Sequence, residues 1–234
     1  LIFKNSFEKD CYLIGEFRFI RFLCKKVVMR IAVVATEAQQ QEWMAQATND
    51  TVSVVWLRAS VAVEGVDAYI NLRAEEEWLH QPIPDYLPPL VIVNAVVSER
   101  TEWPAHFIRI NGWPGFLQGP LLEAAGTDAI QQQAATELLQ YCGRRLEWVS
   151  DQPGFIGARV VSAIINEAYL TLQEKVSSKE DIDIAMKLGT NYPMGPFAWA
   201  TAIGVKNVYA LLHKLAADQP RYTPALLLKQ EAEQ

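Results

Sequence analysis

From Pro153 to the C-terminus the sequence is a succession of helix starts and stops with no strand-like run between them. Pro153-Gly154 make a turn. Phe155 to Lys175 then carries apolar residues at helical spacing, namely Ile156, Val160, Ile164, Ala168 and Leu172. Ser178 with Asp181 three positions later is a capping-box arrangement for the next helix. Leu188-Gly189 reads as the end of that helix, with glycine supplying the left-handed conformation. A Pro/Gly turn at Tyr192–Phe197 leads to a closing pair of helices through Ala217. After Arg221-Tyr222-Thr223-Pro224 comes a short final helix, Ala225 to Ala232. Such a stretch can bury its apolar faces only helix against helix, which predicts an all-α domain over residues 151–234.

The preceding residues alternate instead. Arg30–Ala35 is a short buried strand. Glu37–Thr48, rich in Ala, Gln, Glu and Met, is a helix. Thr51–Leu57, Ala68–Asn71, Leu90–Val97 and His106–Ile110 are four further strands. The segment holding Pro82, Pro84, Pro88 and Pro89 is a connecting loop, because proline fixes φ and removes a donor. Alternation of this kind predicts a mostly parallel, doubly wound sheet over residues 29–150, short for a complete dinucleotide-binding domain. Residues 1–28 carry six basic and three acidic residues and no clean periodicity, and read as an extension outside the fold that starts at Met29.

The formal charge of −6 offers nucleic acid no basic groove, and no apolar run is long enough to span a membrane. Cys11, Cys24 and Cys142 are scattered and odd in number. They form neither a zinc pattern nor a disulfide framework, and fit a reduced, cytoplasmic setting. No metal site is expected.

A dinucleotide needs a glycine-rich turn after the first strand, so that backbone and a helix N-terminus can approach the pyrophosphate, and an acidic residue at the end of the second strand for the ribose. The first turn here is Ala35-Thr36-Glu37-Ala38-Gln39-Gln40, without glycine. The second strand ends Trp56-Leu57-Arg58, without a carboxylate. Arg58 could meet a 2′-phosphate or simply be solvated. On these two absences no cofactor, and no cofactor-binding residue, is expected.

The runs PGFIGAR (153–159), NEAYLTLQEKVSSKEDIDIAMKLGTNYPMGPF (166–197) and RYTPALLLKQ (221–230), in this order, resemble the C-terminal domain of 3-hydroxyacyl-CoA dehydrogenases. Members of that family oxidise the 3-hydroxyl of an acyl-CoA with NAD in fatty acid metabolism. The resemblance implies a Rossmann-like first domain, a homodimer formed through the helical domain and an acyl-CoA-like ligand. It also implies a histidine base at a strand end (motif HFFNP) oriented by a glutamate twelve residues later. Glu123, in Leu121-Leu122-Glu123-Ala124, matches the glutamate, and twelve residues upstream stands Asn111, which is not a base. In the alternative register His106-Phe107 supplies the histidine, seventeen residues before Glu123. His80 and His213 read as structural or solvated. The family's next asparagine falls at Pro114 and the one after the PGFI turn at Ala158; Asn94 persists from the segment after the fourth strand, but its serine does not. These departures imply lost or impaired catalysis. An active enzyme using His106 and Glu123, and a non-catalytic dimerisation or interaction module, are the other readings.

Overall fold

The computed structural model describes residues 29–234; the expectation for residues 1–28 lies outside the described residues. The chain forms β1 (Met29–Val34), α1 (Glu37–Met44), β2 (Val52–Leu57), β3 (Ala68–Asn71), α2 (Ala74–Glu77), β4 (Leu90–Asn94), β5 (Ile108–Ile110), β6 (Leu121–Ala125), α3 (Ala129–Tyr141) and β7 (Arg145–Trp148). The helices α4 (Gly157–Gln173), α5 (Lys179–Thr190), α6 (Pro196–Ile203), α7 (Val205–Ala216) and α8 (Leu226–Ala232) follow. A Rossmann-like sheet domain therefore precedes an all-helical one, as the alternation and the later punctuation predict.

The seven strands lie in the order β2-β1-β3-β4-β5-β6-β7. β1 to β5 are mutually parallel, β6 runs antiparallel to β5, and β7 is parallel to β6. The chain leaves β1 toward β2 and then returns to place β3 on the other side of β1. That reversal is the switch point at which doubly wound sheets open a crevice beyond their carboxyl ends.

Side chains alternate across the sheet with the period of two that a strand dictates. Ile31, Val33, Ile70, Ile92, Ile108 and Ile110 face Trp43 of α1 and Ala135, Leu138 and Leu139 of α3. Ala32, Val34, Tyr69, Val91 and Val93 face the other way, onto Ala74, Trp78, Trp103 and Phe107. On that second face the connection from β2 to β3, residues 58–67, contains no helix. Val63 and Val66 pack there with Leu79, Ile83, Tyr86 and Leu87 of the proline-rich loop. Loop rather than helix covers this part of the sheet.

The structure moves several predicted boundaries. β4 stops at Asn94, beyond which Gly154 N–H donates to the Val96 carbonyl (2.6 Å) and draws the chain toward the helical domain. β5 begins at Ile108, leaving His106 in the preceding turn. β6, β7 and α3 have short or mixed apolar patterns that local periodicity does not reveal. α5 runs on to Thr190, and the left-handed residue is Asn191 (φ 57°), not Gly189. Asparagine tolerates this conformation because its short polar side chain lowers the penalty that a Cβ ordinarily brings.

α4 buries Ala158, Val161, Ser162, Ile165, Asn166 and Tyr169, whereas Ile156 and Val160 of the predicted stripe are exposed. Its buried Asn166 accepts the Ala225 N–H (2.8 Å) and donates to the Thr223 carbonyl (3.0 Å), pinning the start of α8. α6 has no cap of its own at Gly195; Asp183 of α5 supplies it, accepting from the N–H groups of Phe197 (2.7 Å) and Ala198 (3.0 Å). A Cβ at Gly195 would lie 2.3–2.5 Å from Asp183 atoms, so this glycine is what lets the carboxylate reach the helix. The order of the C-terminal motifs is thereby explained: each polar residue ties one helix to the start of another.

Candidate functional site

The sheet domain meets the helical domain through Glu123. β5 and β6 pair antiparallel with Arg109 opposite Ala125 and Ile110 opposite Ala124, so the next pair in register is Asn111 with Glu123. Asn111 N–H donates to the Glu123 carbonyl (3.1 Å), and Asn111 Nδ2 donates to Glu123 Oε2 (2.9 Å). Glu123 Oε1 accepts from the N–H groups of Ile156 (3.1 Å) and Gly157 (2.9 Å), the entry of α4. A carboxylate at a helix N-terminus is stabilised by the free amide donors and by the helix dipole. One side chain of β6 therefore caps α4 and holds the Asn111 amide at once.

Glycine at 157 permits this. A Cβ there would sit 2.6 Å from Phe116 Cε1 and 3.3 Å from Glu123 Oε2. The same close approach recurs at Gly112, where a Cβ would meet Asn94 Cγ at 2.9 Å. Asn94 Oδ1 accepts the Gly112 N–H (2.9 Å) and Asn94 Nδ2 donates to the Leu72 carbonyl (3.0 Å), joining the ends of β3, β4 and β5. Neither glycine was singled out from the sequence; the only local signal is a glycine placed directly after a strand end or inside a helix start.

His106 is not part of this cluster. It is exposed, with its ring edge-on to Phe107 (4.9 Å), in the turn before β5, whereas Asn111 follows the other end of that strand. Five residues of extended chain span about 16 Å. His80 and His213 are also exposed, His213 stacking on Tyr209 (5.6 Å). The structure thus brings together Asn111 and Glu123 and leaves every imidazole elsewhere. Pro114 stands in the following turn. Ala158 is buried on α4 beside the capped end and offers no polar group. Burial pushes the Cys142 thiol up to about 11, which leaves it protonated and without nucleophilic use at neutral pH. Among the described residues no cluster of His, Cys, Asp or Glu could hold a metal, and no helix is long and apolar enough to cross a membrane.

The crevice beside β1 is built differently from a glycine-rich one. Thr36 caps α1: its hydroxyl accepts the Gln39 N–H (3.2 Å), and Gln39 Oε1 accepts the Thr36 N–H (2.9 Å). Gln39 Nε2 continues to the Leu72 carbonyl (2.8 Å), bridging α1 to the end of β3. Arg58, just past β2, pairs with Glu37, the first residue of α1 (2.9 Å). A helix N-terminus and a guanidinium flank the switch point, which is the donor chemistry a dinucleotide phosphate requires. Their placement suits such a ligand, whereas Glu37 offsets the Arg58 charge and the turn carries side chains where glycines are usual.

Among known proteins, residues 154–234 match the family model described as "3-hydroxyacyl-CoA dehydrogenase, C-terminal domain". The chain is 44% identical over 96 residues to the 3-hydroxyadipyl-CoA dehydrogenase of Escherichia coli (strain K12), covering 40% of this chain and 20% of that protein. It is 36% identical over 138 residues to a 3-hydroxybutyryl-CoA dehydrogenase of Bradyrhizobium diazoefficiens, covering 56% and 47%. The second match is longer than the helical domain, so the likeness reaches into the sheet domain. The chain spans under half the length of these curated relatives. Among solved structures, (S)-3-hydroxybutyryl-CoA dehydrogenase from Ralstonia eutropha shares the fold (TM-score 0.61, 21% identity, 87% of this chain and 93% of that one). The 3-hydroxybutyryl-CoA dehydrogenase of E. coli K12 aligns at 27% identity (TM-score 0.55, 76% and 38%).

These findings correct one expectation. The missing glycines and carboxylate argue for no cofactor, yet the chain strongly resembles dehydrogenases that use NAD and carries their Rossmann-like sheet with its switch point intact. NAD binding is therefore plausible here. The local fingerprint misleads because it describes one way of bringing backbone to a pyrophosphate, whereas the crevice itself comes from strand order.

Proposed function

We propose, from the strong resemblance of this chain to the 3-hydroxyacyl-CoA dehydrogenase family, that it binds an acyl-CoA-like ligand and a nicotinamide dinucleotide but transfers hydride poorly. The observation that carries this reading is the hydrogen bond from Asn111 Nδ2 to Glu123 Oε2 (2.9 Å), formed where the family places its histidine base. We take residues 29–150 and 151–234 as the two domains, with the ligand at their junction, and the cytoplasm as the setting that the scattered cysteines suit.

When bound, the dinucleotide supplies the hydride acceptor; the first turn of α1 and Arg58 are the groups that would hold it. The rest of the chemistry belongs to the chain. Oxidation of a secondary alcohol needs a group that takes the hydroxyl proton as the hydride leaves. A carboxamide has no basicity for that task, and Asn111 Oδ1 already accepts from Trp113 N–H (3.4 Å). Glu123 cannot stand in, since both its oxygens are committed to Asn111, Ile156 and Gly157. Its part is to orient residue 111 and to hold α4 against the sheet.

The test is the NADH-linked reduction of acetoacetyl-CoA by the wild-type chain and by Asn111→His. An imidazole in place of the amide could donate to Glu123 and face the ligand with its other nitrogen, so the variant should be faster by roughly a hundredfold or more, the usual worth of a positioned acid–base group. Wild-type turnover as fast as that of Asn111→His would overturn the reading.

A further inference from the structure

One of the groups proposed to hold the dinucleotide bears on which dinucleotide it is. Arg58 is the first residue beyond β2, and the carboxyl end of that strand is where a doubly wound sheet meets the adenosine ribose of its dinucleotide. A carboxylate at this place hydrogen-bonds a free 2′-hydroxyl, whereas an arginine accommodates a 2′-phosphate. The segment Trp56-Leu57-Arg58-Ala59-Ser60 contains the cation and no carboxylate.

The guanidinium is also presented from a fixed backbone. Arg73 Nη1 donates to the Arg58 carbonyl (2.6 Å). Tyr69 Oη donates to the Val61 carbonyl (3.1 Å) and accepts the Val61 N–H (3.2 Å), while Ser60 is held by Glu77. From this anchored loop Arg58 reaches α1, where Nη2 bonds Glu37 Oε1 (2.9 Å). The pair spans the mouth of the crevice, between the end of β2 and the start of α1. Its side chains are 60% and 79% exposed, so the bond is a surface ion pair of little net strength. A phosphate carries nearly twice the charge of a carboxylate and three acceptor oxygens, and competes for the guanidinium on better terms.

We infer that the dinucleotide taken at this crevice carries a 2′-phosphate: the chain prefers NADP(H) to NAD(H), Arg58 reads the phosphate, and Glu37 is the counter-ion that the phosphate displaces. The inference rests on the proposed reading that the crevice binds a nicotinamide dinucleotide at all. It adds which one, and the residue that decides.

The experiment titrates the full chain separately with NADPH and NADH, following the quenching of tryptophan fluorescence. NADPH should bind roughly tenfold tighter or more, the worth of a hydrogen bond to a charged group. Arg58→Asp should remove that preference while circular dichroism stays unchanged, since the side chain is on the surface. Glu37→Gln should tighten NADPH further and leave NADH nearly alone. Equal affinities, tighter NADH, or a preference that survives Arg58→Asp would each overturn the inference while leaving the dinucleotide site standing. Failure of both nucleotides to bind would overturn the site itself and the inference with it.

Discussion

At position 111 a single side chain separates two chemistries that share one geometry. The backbone pairing of Asn111 with Glu123 is set by the β5–β6 register, which brings whatever side chain stands at 111 to the Glu123 carboxylate. The proton transfer does. Glycine plays the opposite part at 112, where identity is dictated by space. A Cβ would stand 2.9 Å from Asn94 Cγ, and Asn94 is the link from Gly112 N–H to the Leu72 carbonyl. Gly112→Ala should therefore destabilise the chain by about 1–3 kcal/mol through overpacking, read as a lowered midpoint in urea. No loss of stability would show that Asn94 can move aside without cost.

Between elements, the informative bonds are those in which one element completes another. Glu123 of β6 caps α4, Asp183 of α5 caps α6, and Asn166 of α4 pins the start of α8. Each satisfies amide donors that a helix leaves open at its N-terminus. Asp183→Ala should cost about 1–2 kcal/mol in thermal or urea unfolding, the ordinary worth of an N-cap. Asp183→Asn should recover part of that cost, since an asparagine oxygen can still accept one of the two bonds. A neutral Asp183→Ala would mean that α6 is held by packing alone.

For the whole molecule, the helical domain leaves an apolar face without cover. Ile156, Val160, Val176, Ile184 and Leu188 are exposed on α4, α5 and the turn between them. A groove of about 380 Å³ between these helices is lined by Ile164, Ala168, Thr171, Ile182 and Met186. The homodimer that the family resemblance implies would cover it with a second copy of the chain, each such residue being used twice across a two-fold axis. We expect Val160→Asp with Ile184→Asp to convert a dimer to a monomer in light scattering after size exclusion. A wild-type chain that is monomeric at micromolar concentration would overturn the homodimer that the resemblance implies.

What could be read from the residues and what could not divide along a physical line. The five strands β1 to β5 and helices α4 to α8 were legible because their apolar periods, caps and turns are local, and local chemistry acts within a few residues. β6 and β7 escaped because a strand of four or five residues looks alike in strand, helix or loop until a neighbour pairs with it, and α3 because its glutamine-rich first turns give a weak apolar stripe. The likeness of the C-terminal motifs identified a family, yet not the reason for their order, which lies in bonds such as Asp183 to α6 between residues far apart in the chain. The stripe at Ile156 and Val160 correctly predicted a helix and misplaced its buried face, because period tells which residues share a side and only packing tells which side is covered. The absent glycines at Thr36–Gln40 were plain in the sequence, whereas the crevice beside them is a product of strand order. The sequence by itself determined the two fold classes, the family resemblance and the two registers, Asn111 or His106, open opposite Glu123. The tertiary structure alone decided that Asn111 meets Glu123 while His106 does not, because that choice is made by the register of two strands across an antiparallel pair.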